Sequence, residues 1–151
     1  MQDSSPKTPS LYDADFYAWT QQQAVLLRAG RFGEADIANI VEEIETLGRS
    51  EKRELVSRLT VLLMHLLKWQ FQPELRGTSW RLTIQGQRLE LTDHMGDNPS
   101  LKSQLIVAIE SSYRRARIEA AKETGLGLSE FPPSCPWAYD DIRNDDFWPE
   151  G

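Results

Sequence analysis

The chain has 151 residues, of which 40% are hydrophobic and 26% are charged. These fractions are typical of a globular protein that folds around an apolar core. The formal net charge of −6 argues against a general attraction of the whole surface to nucleic acid or to anionic membranes. The single cysteine, Cys135, excludes an internal disulfide and a zinc site made only of cysteines.

The charge is unevenly distributed along the chain. Residues 1–47 hold 3 basic and 8 acidic residues, residues 48–118 hold 12 and 7, and residues 119–151 hold 2 and 8. A basic centre therefore lies between two acidic ends. The simplest interpretation is that the acidic segments pack against the basic helices.

The first ten residues are polar and lack the apolar stretch of a signal peptide. We expect residues 1–10 to be a flexible lead-in and residues 11–151 to form a single domain. The longest apolar run is shorter than the roughly 18–20 residues that a bilayer-spanning helix needs. The sequence thus predicts a cytoplasmic protein with no membrane partner.

The pattern predicts an all-α bundle of about five helices. The first runs from Leu11 to Ala29 and ends at Gly30. The second covers residues 34–47, where apolar residues recur at three- and four-residue steps. Gly48 is expected to end it and Ser50 to cap the third helix, so that a turn at Arg49 makes the two helices an antiparallel hairpin.

The third helix turns apolar on several faces from Val61 onward, which predicts a buried central helix. A fourth helix follows around Trp80 to Met95, and is weakened by Gly86. Asn98 and Pro99 signal the start of the fifth, which is expected to end at Gly125.

The C-terminal segment from Phe131 onward combines four prolines with two tryptophans and two phenylalanines. Disordered acidic tails usually lack such aromatics. We therefore expect an extended strap with one short helical turn after Trp137. Its anchors on the bundle would be Phe131, Trp137, Phe147 and Trp148.

His65 lies within an apolar run and is the first candidate for chemistry. With a turn at Arg49, the hairpin places His65 about one helical turn from Asp36 and roughly 15 Å from Glu43. A His65–Asp36 pair is a weak catalytic candidate, since the carboxylate could equally satisfy a buried imidazole.

The sequence gives little support for a metal site or for a catalytic cysteine. A di-metal carboxylate bundle needs Glu-x-x-His pairs, and the chain contains neither these nor the two-histidine zinc patterns. With only His65 and His94 present, we expect no metal site and no cofactor. Cys135 lies between prolines, so it is expected to be packed and not to act as a nucleophile.

The basic centre offers an alternative, which is binding to nucleic acid. Arg76, Arg81 and Arg88 surround Trp80 on the fourth helix, and arginines with a tryptophan are able to hold phosphates and stack on a base. The competing interpretation is that these arginines pair with the acidic C-terminal segment and that Trp80 belongs to the core.

Several stretches resemble a bacterial family catalogued as domain of unknown function 29. The similarity runs from about Leu11 to Glu150, and its most specific part is the long segment DIANIVEEIETLGRSEKRELVSRLTVLLMHLLKWQFQPE; SWRLTIQGQR, FPPSCPW and DFWPE add to it. The resemblance implies a small, all-helical, single-domain protein. It implies no activity, because the family has no established catalytic or binding residues that could be assigned to positions in this chain.

No catalytic constellation emerges from these patterns. The leading hypothesis is therefore a helical module without catalytic activity, which binds another protein or itself. Nucleic-acid binding through residues 76–88 is the second hypothesis, and an enzyme that uses His65 with Asp36 is the third.

Overall fold

A computed structural model of the protein describes residues 10–150 and is all-α over that range. The N-terminal lead-in predicted for residues 1–10 lies, apart from Ser10, outside the described residues. Within that range no helix is long and apolar enough to cross a bilayer. The six α-helices are α1 (Leu11–Ala14), α2 (Phe16–Arg28), α3 (Ile37–Phe71), α4 (Thr78–Asp97), α5 (Leu105–Thr124) and α6 (Tyr139–Ile142).

The predicted hairpin between a second and a third helix is wrong, because both belong to the single 35-residue helix α3. Gly48 does not end a helix: the glycines with positive φ in the described chain are Gly30 and Gly125. A glycine in a helix interior costs only about 1 kcal/mol relative to alanine. The helix-forming residues on both sides outweigh that cost, so Ser50 is an interior residue and not a cap.

The other helix ends follow the sequence signals closely. The predicted first helix is interrupted at Asp15, whose side chain accepts a hydrogen bond from the Ala18 amide and so caps α2. Gly30 follows α2 and Gly125 ends α5, both in left-handed conformation as predicted. Residues Pro99–Gln104 form 3-10 turns directly before α5.

The chain divides into two compact units between Arg49 and Ser50. Unit 1 comprises residues up to Arg49 and unit 2 those from Ser50; the prediction of a single domain stays a prediction. In unit 1, hydrogen bonds connect α2 to the beginning of α3. The Trp19 indole N–H donates to the Asp36 carboxylate over 3.0 Å, and the Gln23 side-chain oxygen accepts from the Asp36 amide over 2.7 Å.

Unit 2 contains the apolar core. As predicted, the second half of α3 is buried on several faces, including Leu62, Leu63, Leu66 and Leu67, each 0% exposed. Residues of α4 and α5 complete this core, among them Ile84, Leu91, Ala116 and Tyr113.

The segment after α5 forms the strap that the sequence predicts, with α6 as its helical turn. Phe131 is 1% exposed and meets the ring of Phe71 edge to face, while Trp148 lies with its ring centre 4.7 Å from that of Trp69. Ile142 in α6 is fully buried as well. These apolar anchors hold the strap on the other helices of unit 2.

Continuity of α3 predicts that Gly48→Ala stabilises the protein by about 1 kcal/mol, because alanine is the better helix former. A β-carbon at Gly48 meets no atom within 4 Å. Urea unfolding followed by circular dichroism measures the change. The matched control is Gly125→Ala, where φ is +74°, which should destabilise by about 1 kcal/mol. A loss of stability in Gly48→Ala would indicate a turn at that position.

Candidate functional site

Arg88 is the most deeply buried charged residue in the described chain, at 1% exposure. Its Nε donates to the Ile142 carbonyl over 2.9 Å and its Nη2 to the Phe147 carbonyl over 2.7 Å. Burial lowers the pKa of Arg88, an effect that the charge of Asp145 partly offsets. The guanidinium thus connects α4 to two places on the strap.

Other donors of unit 2 bind the strap in the same manner. Arg76 donates to the Pro149 carbonyl of the strap and also to the Trp69 carbonyl of α3. Arg117 donates to the carbonyls of Leu128 and Phe131 in the strap. Tyr113 donates to the Pro132 carbonyl over 2.6 Å, and burial raises the pKa of this phenol to about 12. The arginines therefore pair with backbone carbonyl oxygens of the strap and not, as the charge pattern led us to expect, with its carboxylates.

The residues predicted to bind nucleic acid do not form one open basic face. Arg88 and Arg76 are engaged under the strap, and the Lys68 ammonium lies 4.8 Å from the centre of the Trp80 ring. Trp80 is packed against the core, and only Arg81 is exposed. A phosphate chain would have to displace the strap to reach Arg88.

His65 and Asp36 are engaged separately. The Nδ1 of His65 lies 2.8 Å from the Val61 carbonyl in the same helix, and desolvation lowers the pKa of its ring. Asp36 accepts hydrogen bonds from Trp19 and Asn39, which lower the pKa of its carboxyl. The antiparallel turn that would have made them neighbours is absent, so the geometric premise for the pair is lost.

A cluster that the sequence patterns missed joins α3 to α4 within unit 2. Glu51, Glu54 and His94 each offer one ligand atom, and these atoms lie within 4.8 Å of one another. The sequence does hold a signal for it: Glu51-x-x-Glu54 on α3, and Glu90-x-x-x-His94 on α4, each put two ligands on one face of a helix. A search limited to Glu-x-x-His and two-histidine patterns excludes both.

A second feature of unit 2 is an apolar groove of about 800 Å³ between α5 and the strap. Its walls include Leu105, Ile109, Tyr113, Cys135 and Trp137. Burial raises the pKa of the Cys135 thiol, and no histidine is among the described residues that line the groove. The groove therefore lacks the base that an activated cysteine needs.

Replacing the buried guanidinium tests its role in holding the strap. Arg88→Met keeps an apolar stem but leaves two buried carbonyl oxygens without donors, which should destabilise the protein by about 3 kcal/mol. Urea unfolding measures this loss. Arg81→Met is the matched control, since Arg81 is exposed and its loss should have little effect; equal stability of the two variants would contradict the assignment.

The raised pKa of Cys135 predicts slow reaction with thiol reagents. Less thiolate is present at any given pH when the thiol pKa is raised, and the thiolate is the reactive form. Alkylation by iodoacetamide at pH 8, followed by mass spectrometry, should be slower in the native protein than in the urea-unfolded chain. Equal rates would show that the thiol is neither buried nor perturbed.

Comparisons with known proteins identify the family of the chain. No curated protein matches the chain, and no solved structure matches it either. A family model described as domain of unknown function DUF29 matches residues 11–148, nearly the whole chain. The protein therefore belongs to the DUF29 family, whose description assigns no function.

Proposed function

We propose that this protein is a self-associating module in which two copies pair through unit 1. The observation that supports the proposal is a row of apolar side chains on the first part of α3. Ile37, Val41, Ile44 and Leu47 are 47%, 46%, 62% and 65% exposed. Their spacing of three and four residues belongs to a helix that packs on a partner.

Unit 1 has almost no core of its own. In its described part, Trp19 is the single buried apolar residue, and Gln23 is the single buried polar one. Ten large hydrophobic residues of the same segment are exposed: Leu11, Phe16, Tyr17, Val25, Leu27, Phe32, Ile37, Val41, Ile44 and Leu47. Exposed apolar patches of this kind mark interaction surfaces in soluble proteins.

A comparison with the second half of α3 supports a role for the row in packing. The same three- and four-residue steps continue in the sequence through Leu55, Leu59 and Leu62, which are at most 1% exposed. There the row is covered by other helices of unit 2. In unit 1 the row is equally apolar but its side chains are exposed, which favours another helix as the missing neighbour.

The row is complementary to itself, which favours a second copy of the chain as that neighbour. When two such helices pair antiparallel about a two-fold axis near residue 42, Ile37 of each copy lies level with Leu47 of the other, and Ile40 with Ile44. Arg49 lies 3.4 Å from Glu42 and 3.9 Å from Glu45. Glu42 and Arg49 lie roughly 150° around the helix from the row, so these charges stay in solvent when the two rows meet.

A charged residue in the centre of the row tests this proposal. Ile44→Glu should weaken dimerisation by roughly 100-fold, because two buried isoleucines are lost at about 1.5 kcal/mol each. Size-exclusion chromatography with light scattering measures the mass over a range of concentrations. Ile118→Glu is the matched control, an exposed isoleucine of α5 at 57% exposure, and it should remain a dimer.

A charge at either end of the row tests the antiparallel pairing itself. Ile37→Lys and Leu47→Glu should each weaken self-association, because the charges are then placed against apolar side chains of the other copy. An equimolar mixture of the two variants should pair better than either variant alone, since the introduced charges of opposite sign then lie level with one another. A wild-type monomer at all concentrations, or a mixture that pairs no better than the single variants, would refute the proposal.

A further inference from the structure

His94 directs one ring nitrogen at two carboxylates. The residue lies on α4 at 7% exposure, and its Nδ1 is 3.5 Å from Glu51 Oε2 and 3.6 Å from Glu54 Oε2. The other ring nitrogen, Nε2, is 2.9 Å from the backbone carbonyl oxygen of Glu51. A carbonyl oxygen only accepts hydrogen bonds, so Nε2 carries a proton.

This hydrogen bond bears on whether Nδ1 carries a proton or a free lone pair. In a ring whose single proton is on Nε2, the lone pair of Nδ1 points towards the two glutamates. A lone pair beside two carboxylates is repulsive unless a proton or a metal cation lies between them. A histidine held through its second nitrogen by a backbone carbonyl is also the usual arrangement around protein-bound metals.

The distances fit a small divalent ion. Ligands at about 2.0–2.1 Å from a tetrahedral ion lie roughly 3.3 Å from one another. The two separations from Nδ1 exceed that value by only a few tenths of an ångström, and the three ligand atoms all lie within 4.8 Å of one another. Small rotations of the two glutamate side chains, which are 44% and 43% exposed, would complete the approach.

The surroundings add negative charge and space for water. The cluster opens into a cleft of about 360 Å³, which is also lined by Glu90, Asp93, Asp97 and Asn98. Arg58 compensates part of this charge, at 3.4 Å from Glu54 and 3.7 Å from Glu90. Five carboxylates therefore share one cleft with one histidine, and the nearest arginine pairs with two of them.

We propose that Glu51, Glu54 and His94 bind a divalent transition-metal ion, with zinc the best match. One imidazole nitrogen and two carboxylate oxygens form a borderline ligand set, which suits zinc better than calcium or copper(I). Three protein ligands leave a fourth position to water from the cleft. Bound there, the ion connects α3 to α4 within unit 2, independently of the pairing proposed for unit 1.

Titration of the tag-free full chain with zinc chloride, by isothermal calorimetry after treatment with a chelator, tests the site. Binding of one ion per chain is expected, with a rise in the unfolding temperature. Glu54→Gln should weaken zinc binding at least about ten-fold, as expected when a ligand is removed. Cobalt chloride provides a second readout, because a tetrahedral cobalt site absorbs visible light.

Two substitutions serve as controls and one as a stronger variant. Glu110→Gln on α5 makes the same chemical change at an exposed position, and His65→Gln removes the other histidine; both should bind zinc as the wild type does. His94→Gln should abolish binding, and its circular dichroism spectrum shows whether it is folded. Absence of zinc and cobalt binding in the wild type, or equal binding by Glu54→Gln, would overturn the proposal.

Discussion

The backbone of α3 continues as one helix through Gly48 and Arg49, and this continuity removes the antiparallel turn that would have brought His65 close to Asp36. A helix repeats every 3.6 residues, so side chains three or four positions apart share one face. Glu51 and Glu54 are neighbours on one face of α3 for this reason. The exposed row from Ile37 to Leu47 follows from the same period.

The strap imposes a second constraint, which is electrostatic. A buried guanidinium is costly unless its donors find acceptors; the Nε and Nη2 of Arg88 have carbonyl acceptors, whereas its buried Nη1 has none among the described residues. Backbone carbonyls of an extended segment are suited to this, because a segment without regular secondary structure leaves them free. The arginines of unit 2 therefore support the position of the strap through its backbone, while the aromatic residues Phe131 and Trp148 supply the apolar contact.

Much of the fold could be predicted from the sequence, and the failures have physical causes. Gly30 and Gly125 end helices and Gly48 does not, although all three follow a helix-forming segment. Local preference for a turn at glycine is weak, and the sequence around Gly48 continues the helical period on both sides. The prediction took Gly48 as the end of a helix on this weak preference alone. The expected proximity of Asp36 and His65 depended on that turn and is therefore wrong as well.

The candidate site was less predictable than the fold. Trp80 and the arginines around it were identified as a group, but their partners are backbone atoms of a distant segment, which no local pattern reveals. His94 was overlooked because its two glutamates come from another helix, 40 and 43 residues earlier in the chain. The spacing of ligands within each helix was visible, whereas the pairing of the two helices was not.

The strap also affects how the protein folds during synthesis. Phe131 and the carbonyls of Ile142 and Phe147 meet residues that precede them by 54 to 60 positions. Until Phe131 and Trp148 have left the ribosome, Phe71 and Trp69 lack their aromatic neighbours, and the Arg88 guanidinium lacks its acceptors until Ile142 and Phe147 have followed. Unit 2 therefore reaches its native state only after the strap has been synthesised, and before that the nascent chain exposes apolar surface that chaperones recognise.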